Sequence, residues 1–319
     1  HIEALKTIDG VRISAIYDVA RERAEAAAAS CGAIVCSDQR QCIDACDAVY
    51  IATPPSFHRE QVLMALDAGR HVFCEKPLAA SLEDGLAIAE AAHRSNKQVA
   101  VGFNMRLRKG GMLLRDLHRS GELGHVYNFW IHRMGPGIGP TYNWRTDPQL
   151  LCGVAVESVS HDIDMVRWIC GEIKDVRATV YASRADLPAY DTDVNVAMTL
   201  ASGDMALIHV SWASPLGHNA RGLIGTVGSA MLDGPMMWDW QSLHVKTTAM
   251  PYEQVTVIND MLASSDSYLN QTRRFIESVQ TGVDVPASVD DGLKALEVSH
   301  AILRSAREGC VVTVGGAHA

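Results

Sequence analysis

No segment of the 319-residue sequence contains the uninterrupted apolar run that a membrane-spanning helix needs. Positive charge is also scarce, since 28 Lys and Arg stand against 37 Asp and Glu. The resulting net charge of −9 argues against a protein that follows a nucleic acid backbone, because such binding depends on clustered cations. The composition, 48% hydrophobic and 20% charged, favours a soluble globular protein without a membrane or nucleic acid partner.

A disulfide framework is not expected either. The eight cysteines are spread over a long chain, and no secretory leader precedes them. Cys42 and Cys46 are spaced for one helix face, but a metal clip would need a second pair of ligands beside them. We therefore predict reduced thiols in the cytoplasm and no metal site.

The length favours two domains, and the pattern of the chain changes near residue 104. Before that point short β-rich runs alternate with helical patterns, which indicates βαβ units and a parallel sheet. The predicted strands and helices of this part are Val11 to Tyr17, Arg21 to Ser30, Ala48 to Ala52, Phe57 to Gly69, Val72 to Cys74, a helix capped by Ser81 with Asp84, and Gln98 to Phe103.

After residue 104 the pattern indicates one helix, several strands and two long terminal helices, as in an α+β domain. The predicted strands are Val126 to His132, Val176 to Ala182, Val194 to Leu200, Met205 to Trp212 and Leu223 to Val227, and the terminal helices are Ser267 to Thr281 and Val289 to Arg307. We therefore predict domains at residues 1–104 and 105–319. No internal repeat or low-complexity tract interrupts them.

Asp18 ends the first predicted strand, where a dinucleotide-binding βαβ unit places the acid that binds the adenosine ribose. In such a unit the acid lies ~20 residues beyond a glycine-rich turn that holds the pyrophosphate. Counting back from Asp18 runs past His1, and no Gly-x-Gly-x-x-Gly turn precedes it in the sequence. Taken alone, an acid at a strand end is more often a turn former than a ribose ligand.

The tripeptide Glu75-Lys76-Pro77 follows a predicted parallel strand, and open parallel sheets bind ligands at the carboxyl ends of their strands. A lysine between a carboxylate and a proline presents its ammonium from a restricted backbone, which suits binding a substrate oxygen. A solvated turn is the alternative interpretation of this motif.

Glu157, His161 and Asp164 fall at the spacing of one helix face. On a helix, the Glu157 carboxylate would orient the His161 imidazole and make it a general base near neutral pH. Asp164 would hold the other ring nitrogen or cap nearby backbone. A lone histidine in a helix is usually structural, so the acidic neighbours are what favours a chemical role.

Further motifs occur in a fixed order along the whole chain: Ala52-Thr53-Pro54-Pro55-Ser56-Phe57-His58, Glu75-Lys76-Pro77, Gly102-Phe103-Asn104 with Arg106, Asn143-Trp144-Arg145-Thr146-Asp147-Pro148, the block from Glu157 to Asp164, and Tyr268 to Gly282 with Asp291-Gly292. With this order and spacing, the sequence resembles the Gfo/Idh/MocA family of NAD(P)-dependent oxidoreductases. The resemblance implies a Rossmann-type parallel sheet domain, here without its first strand. An α+β domain follows, whose open, mostly antiparallel sheet commonly serves as an oligomer interface.

The resemblance also implies an activity: hydride transfer between NAD(P) and a secondary hydroxyl of a sugar, inositol or related polyol, by a homo-oligomer such as a dimer or tetramer. Lys76 would hold the reacting oxygen, and His161 would take the hydroxyl proton beside the nicotinamide. Glu157 stands where the family usually has Asp. The positions that match the family's cofactor lining are Asp18, Thr53, Pro54, His58, Glu75, Lys76, Asn104, Trp144 and Arg145.

Two features leave alternatives open. Asp18 favours NAD because a 2′-phosphate beside a carboxylate would be repelled, whereas Arg21 nearby keeps NADP as the alternative. The strand and glycine-rich turn that the family has before Asp18 either belong to a natural segment ahead of His1 or have been lost. In the second case the protein would be a non-enzymatic carbohydrate-binding or regulatory relative. A cofactor-independent hydrolase or lyase using Glu157 and His161 is a third interpretation, which would leave Lys76 idle.

Overall fold

The computed structural model describes residues 1–137, 144–147, 150, 152–184, 190–261 and 266–315. Contacts divide the chain into two compact units, His1–Asn104 with Asp266–Leu293, and Met105–Ser265 with Lys294–Ala319. The predicted linear division into residues 1–104 and 105–319 does not describe the return of Asp266–Leu293 to the first unit. No helix in the described part of the chain is long and apolar enough to cross a membrane.

The first unit alternates helices and parallel strands. Its elements up to residue 101 are α1 (Ile2–Lys6), β1 (Ala15–Ile16), α2 (Arg21–Ala29), β2 (Ile34–Val35), α3 (Gln39–Asp44), β3 (Ala48–Ile51), α4 (His58–Asp67), β4 (His71–Cys74), α5 (Leu82–Arg94) and β5 (Val99–Val101). Strands β1 and β2 form a two-stranded parallel sheet, and β3, β4 and β5 form a three-stranded one in that order. The predicted parallel arrangement is confirmed, although the predicted strand from Val11 to Tyr17 shrinks to Ala15–Ile16.

Local chemistry explains these elements. Strand β4 is apolar on both faces, with Val72, Phe73 and Cys74 fully buried, as expected where helices cover both sides of a parallel sheet. Ser81 caps α5 by accepting a 3.1 Å hydrogen bond from the backbone N–H of Asp84, as the sequence predicted.

The first unit also includes the later segment Asp266–Leu293, which carries α9 (Ser267–Thr281). Phe275 of α9 is fully buried and lies edge-on to Phe73, with ring centroids 5.6 Å apart. The backbone N–H of Val101 donates to the carbonyl of Ala287 at 3.0 Å. The segment therefore belongs to the core of the parallel sheet.

The second unit contains α6 (Lys109–Ser120), β6 (Val126–Met134), α7 (Gly153–Glu157), α8 (Val159–Cys170), β7 (Ile173–Tyr181), β8 (Asp193–Leu200), β9 (Met205–Ser211), β10 (His218–Gly225), β11 (Gly228–Asp233), β12 (Trp240–Thr247), β13 (Gln254–Asp260) and β14 (Val312–Thr313), and the terminal helix α10 spans Val289–Glu308. One sheet joins its strands in the order β13-β12-β11-β10-β6-β9-β8-β7-β14. Only the β6–β9 pair is parallel among these neighbours, so the predicted open, mostly antiparallel sheet is confirmed.

The two faces of this sheet differ. Helix α6 packs against β10, β11 and β13, and α8 packs against β6 and β9. On β8, Val194, Val196 and Met198 point to this covered face and are buried. The opposite face of β9 exposes Met205 and Leu207, which are 53% and 51% accessible. Strands β11, β12 and β13 were not predicted.

Candidate functional site

The polar motifs of the first unit gather at one edge of its three-stranded sheet. Register pairs Ile51 with Cys74 and Cys74 with Val101, so the three strands end side by side. The residues that follow these ends are Thr53 and Pro54 after β3, Glu75 and Lys76 after β4, and Asn104 after β5. The structure therefore brings these five predicted site residues to the edge where parallel sheets bind ligands.

Glu75 and Lys76 are held in a tight turn. The backbone N–H of Lys76 donates to Oε2 of Glu75 at 3.1 Å, and Nε2 of His1 lies 2.7 Å from Oε1. Burial raises the pKa of Glu75, and the charge and N–H of Lys76 oppose this shift. A Cβ on Gly102 would lie 2.7 Å from Oε2 of Glu75, so a larger residue at the end of β5 would displace the carboxylate from this position.

His58 supports this edge from inside. Its side chain is fully buried, with Nδ1 at 3.0 Å from the carbonyl of Pro77 and Nε2 at 2.9 Å from the carbonyl of Thr53. Burial lowers the pKa of His58, which favours the neutral ring. A neutral ring carries a single N–H and so donates to one of these two carbonyls, and its burial leaves no surface for a ligand.

Asp18 lies apart, two residues beyond β1 in the two-stranded sheet. Its Oδ1 accepts hydrogen bonds from the backbone N–H of Ala20 at 2.8 Å and from Nη2 of Arg23 at 2.6 Å. The hydrogen bond from Arg23 is the main reason that the pKa of Asp18 is lowered. Sequence reasoning identified Arg21, which instead pairs with Glu25 at 2.7 Å, and missed Arg23.

In the second unit, the single helix expected from Glu157 to Asp164 is divided. Helix α7 ends at Glu157, Ser158 stands between, and α8 begins at Val159, so helical spacing does not describe how Glu157 and His161 are arranged. Glu157 is 2% exposed and His161 is 8% exposed. Both predicted catalytic groups of this unit are therefore buried polar side chains.

The carboxylate of Glu157 is bound at both oxygens. Nε of Arg145 donates to Oε1 at 2.5 Å, and the hydroxyl of Tyr190 donates to Oε2 at 2.8 Å. The Arg145 guanidinium also stacks on Trp144, with Cζ 4.3 Å from the ring centroid. The structure thus places Arg145, which the family pattern assigned to the cofactor, on the Glu157 carboxylate.

Asp164 pairs with a cation that the sequence did not indicate. Its two carboxylate oxygens accept hydrogen bonds from Nε and Nη2 of Arg106 at 2.8 and 2.6 Å. Both side chains are nearly inaccessible, and the two-point geometry makes the ion pair a strong one. Asp164 therefore fixes α8 to the turn that follows Asn104 in the chain.

Tyr190 and Asp191 were missed by sequence reasoning, since no spacing connects them to α7. Oδ2 of Asp191 accepts from the backbone N–H of Ala155 at 2.7 Å, and its carbonyl oxygen accepts from Val154 at 3.0 Å. Burial raises the pKa of Asp191 to about 6, and the charge of Glu157 adds to the shift. Asp191 therefore caps the short helix that carries Glu157.

Some predicted features lie outside the described residues, namely Asn143 and Pro148 of the motif around Trp144. Among the residues that the structure describes, no group of three or more His, Cys, Asp or Glu side chains could hold a metal ion. A dinucleotide suits the first unit better, because Thr53, Lys76 and Asn104 supply hydrogen-bonding groups at the strand ends.

Comparison with known proteins agrees with this fold. A profile described as "Oxidoreductase family, NAD-binding Rossmann fold" matches residues 1–103, and one described as "GFO/IDH/MocA C-terminal domain" matches residues 112–231. The uncharacterized oxidoreductase YrbE of Bacillus subtilis is 28% identical over 98% of this chain and 92% of its own. Inositol 2-dehydrogenase 2 of Saccharopolyspora erythraea is 28% identical over 98% and 91%.

Comparison with solved structures identifies the same fold. The crystal structure of a putative myo-inositol dehydrogenase from Sinorhizobium meliloti matches with a TM-score of 0.83 and 25% identity, covering 99% of this chain and 95% of that one. A levoglucosan dehydrogenase in complex with NADH shares the fold with a TM-score of 0.84 at 22% identity, covering 96% and 91%. With both halves matched in order, the chain belongs to the Gfo/Idh/MocA family of oxidoreductases, whose N-terminal domain is an NAD-binding Rossmann fold.

Proposed function

We propose that this protein is an NAD-dependent dehydrogenase that oxidises a secondary hydroxyl of a sugar, inositol or related polyol, or runs the reverse reduction. The observation that carries the proposal is Lys76, presented at the strand-end edge of a family NAD-binding domain. Full-length relatives named as inositol 2-dehydrogenases support the substrate class.

In the proposed reaction, bound NAD supplies the acceptor for the hydride that leaves the substrate carbon. Lys76 holds the reacting oxygen, and its ammonium stabilises the negative charge that develops there. The bond from its own N–H to Glu75 and the link from Pro77 to His58 limit the freedom of this turn. Thr53, Pro54, Glu75 and Asn104 complete the cofactor side of the site, with His58 as a support behind them.

His161 is the proposed proton acceptor. Its ring takes the hydroxyl proton as the alcohol becomes a ketone, a role for which a neutral imidazole is suited near pH 7. Glu157 fixes this region as a carboxylate that Arg145 and Tyr190 hold at both oxygens. We assign Arg145 and Trp144 to the support of Glu157 in place of the cofactor contact that the family pattern implies.

The cofactor is proposed to be NAD. The Arg23 guanidinium keeps the Asp18 carboxylate ionised, and an ionised acid at the end of β1 accepts ribose hydroxyls and repels a 2′-phosphate. Arg23 is engaged with Asp18, and Arg21 is engaged with Glu25. The two cations nearest to Asp18 in the chain are thus both paired with carboxylates, which supports NAD over NADP.

A homo-oligomer, a dimer or tetramer, is also proposed, with the open face of the nine-stranded sheet as the contact surface. Nine strands spaced ~4.8 Å apart give a face wide enough for the ~800 Å² that each partner buries in a standard interface. Exposed Leu207, Met205, Val255 and Val257 would be covered there. None of the eight cysteines forms a disulfide, which fits the proposed cytoplasmic location.

The test is nicotinamide absorbance during incubation of the protein with NAD and a panel of polyols and sugars that includes myo-inositol. We expect NADH formation with at least one cyclic polyol and weaker or no reaction with NADP. Calorimetry with NADH provides a second readout. A protein that neither binds NADH nor turns over any member of the panel would overturn the proposal, and turnover without added cofactor would favour a hydrolase or lyase.

A further inference from the structure

A cluster of charged side chains is buried on the covered face of the nine-stranded sheet. Arg133 lies on β6, Asn219 and Arg221 lie on β10, and Asp162 lies on α8. Each of the four is 0% exposed. Arg133 and Asn219 are direct partners in the β6–β10 register, so their side chains leave the sheet next to each other.

One carboxylate serves two guanidinium groups in this cluster. Oδ2 of Asp162 accepts from Nη2 of Arg133 at 2.6 Å, and Oδ1 lies 3.3 Å from Nη2 of Arg221. That nitrogen of Arg221 also donates to Oδ1 of Asn219 at 2.9 Å. Two cations against one anion leave an excess of one positive charge in a place that water does not reach.

The charged groups around the cluster do not supply the missing negative charge. Arg108 is matched by Asp260, with Nε and Oδ1 3.2 Å apart. Arg106 is matched by Asp164, as described above. Asp260 and Asp164 thus each have a cation of their own, and the guanidinium groups of Arg133 and Arg221 lie over the rings of Trp238 and Trp240, each with Cζ 4.6 Å from the centroid.

Several donors of the cluster also lack an acceptor. Nε and Nη1 of Arg133, Nε of Arg221 and Nδ2 of Asn219 are buried and make no hydrogen bond with any described residue. Nη1 of Arg221 faces the sulfur of Met165 at 2.9 Å, and a thioether is a weak acceptor. A buried donor without a partner costs about 1–3 kcal/mol, and more when it is charged.

We infer that these donors bind a small monovalent anion, such as chloride. A water molecule accepts about two hydrogen bonds and carries no charge, whereas a halide accepts from several donors and cancels the excess positive charge. The complete burial of Arg133, Asn219 and Arg221 favours a small ion over phosphate or a substrate carboxylate. Burial also lowers the pKa of Arg221 to about 9, in agreement with a cation that its protein neighbours compensate poorly.

The ion would join three elements. Arg133 and Asn219 fix it to β6 and β10, and Asp162 ties the same guanidinium groups to α8. Because Asp162 follows His161 in the chain, the ion would stabilise the part of α8 that carries the proposed base. The binding site itself does not depend on the proposed dehydrogenase function.

Thermal unfolding in sodium chloride, sodium bromide and sodium gluconate at equal ionic strength tests the inference. A ligand that binds only the folded state raises Tm in a saturable way. We expect saturable increases with chloride and bromide and none with gluconate. Equal Tm values in all three salts would overturn the inference, and so would a chloride effect that rises without saturation.

Two variants sharpen this test. Asn219→Asp places a carboxylate beside both guanidinium groups, so the variant should have a higher Tm than wild type without chloride and no chloride response. Arg133→Met should also lose the response, whereas Arg94→Met, which removes an exposed pair with Glu90, should keep it. A chloride response in Asn219→Asp equal to that of wild type would contradict the site.

Crystals of the wild-type protein grown in bromide give an answer that does not depend on any variant folding. We expect an anomalous peak within hydrogen-bonding distance of Arg133 and Asn219. An ordered water at that position, without anomalous signal at saturating bromide, would overturn the inference even if the protein proves to be an active dehydrogenase.

Discussion

The hydroxyl of Tyr190 donates a 2.8 Å hydrogen bond to Oε2 of Glu157, and both side chains are buried. The Glu157 side chain is held between this hydroxyl and Arg145. The ring of Tyr190 in turn stacks on Trp212, with centroids 6.1 Å apart. The carboxylate therefore has one position, set by two donors that are distant in the sequence.

Tyr190→Phe should destabilise the protein by about 1–3 kcal/mol, because it removes one donor from a buried carboxylate and keeps the ring. Urea denaturation measures the change in the free energy of unfolding. Tyr252→Phe is the control, since Tyr252 is 82% exposed and should change stability by less than ~0.5 kcal/mol. Equal stability of the two variants would show that the Tyr190 hydroxyl does not hold Glu157.

Lys76→Ala should lower kcat by about 10²–10³-fold, the usual cost of losing a donor to a developing oxyanion. Cofactor affinity should change far less, because the proposed role of the ammonium is at the reacting oxygen. Steady-state kinetics and calorimetry with NADH measure the two effects separately. Lys294→Ala, which removes an exposed partner of Glu297, serves as the control. Equal losses in turnover and NADH binding would move Lys76 to the cofactor.

His161→Asn should reduce turnover by about 10²–10⁴-fold and flatten the ascending limb of the pH profile, because asparagine cannot accept the proton. The measurement is kcat/KM from acidic to alkaline pH for the variant and for wild type. His93→Asn is a matched control, since the His93 side chain is exposed and pairs with Asp290. An ascending limb that survives in His161→Asn would identify a different base.

Asp191 gives a prediction about stability and pH. Its pKa rises from 3.8 to about 6 in the folded protein, mainly through burial, so the folded state binds the proton more tightly than the unfolded chain does. The carboxyl group therefore costs stability as pH rises from about 4 to above 6, by about 3 kcal/mol at most.

Asp191→Asn keeps an oxygen for the N–H of Ala155 and removes the charge. The variant should be more stable than wild type above pH 6, and this gain should vanish below pH 4. Denaturation across this pH range checks it, with Asp9→Asn on an exposed turn as the control. A gain that is the same at all pH values would contradict the titration of Asp191.

The open sheet face predicts pH-dependent self-association. His132 lies between His209 and His218, with ring centroids 4.7 and 5.4 Å away, and the outer two have the acids Asp193 and Asp233 nearby. Burial and the two neighbouring histidines lower the pKa of His132, so protonation is unfavourable there and covering the face makes it more so.

The association of copies across this face should therefore weaken as pH falls from 7 to ~5, since dissociation releases the ring for protonation. Sedimentation at several pH values measures the dissociation constant. His132→Gln should flatten the dependence, whereas His93→Gln in the first unit should not. A monomer at every pH would contradict the proposed interface, and an unchanged slope in His132→Gln would contradict the role of His132.

Helices and strands were predicted correctly from the sequence where one short local pattern was sufficient to define them. Helix α9 (Ser267–Thr281) has the predicted bounds. Ser81 caps the N-terminus of α5, as its spacing to Asp84 indicated. Strands β11 and β12 were missed although they alternate buried and exposed residues, the pattern of a half-buried strand. The N-terminal half of β10 was missed because Asn219 and Arg221 are polar, although they are buried.

The sequence by itself determined the family, the alternation of strands and helices before residue 104, and the placement of Thr53 and Lys76 at strand ends, because these depend on short patterns along the chain. Tertiary structure alone decided the partners of the charged groups. Arg145 and Tyr190 bind Glu157, Arg106 binds Asp164, and Arg133 and Arg221 share Asp162. Such pairs join residues far apart in sequence, and burial selects them because a charge removed from water needs a partner wherever the fold brings one.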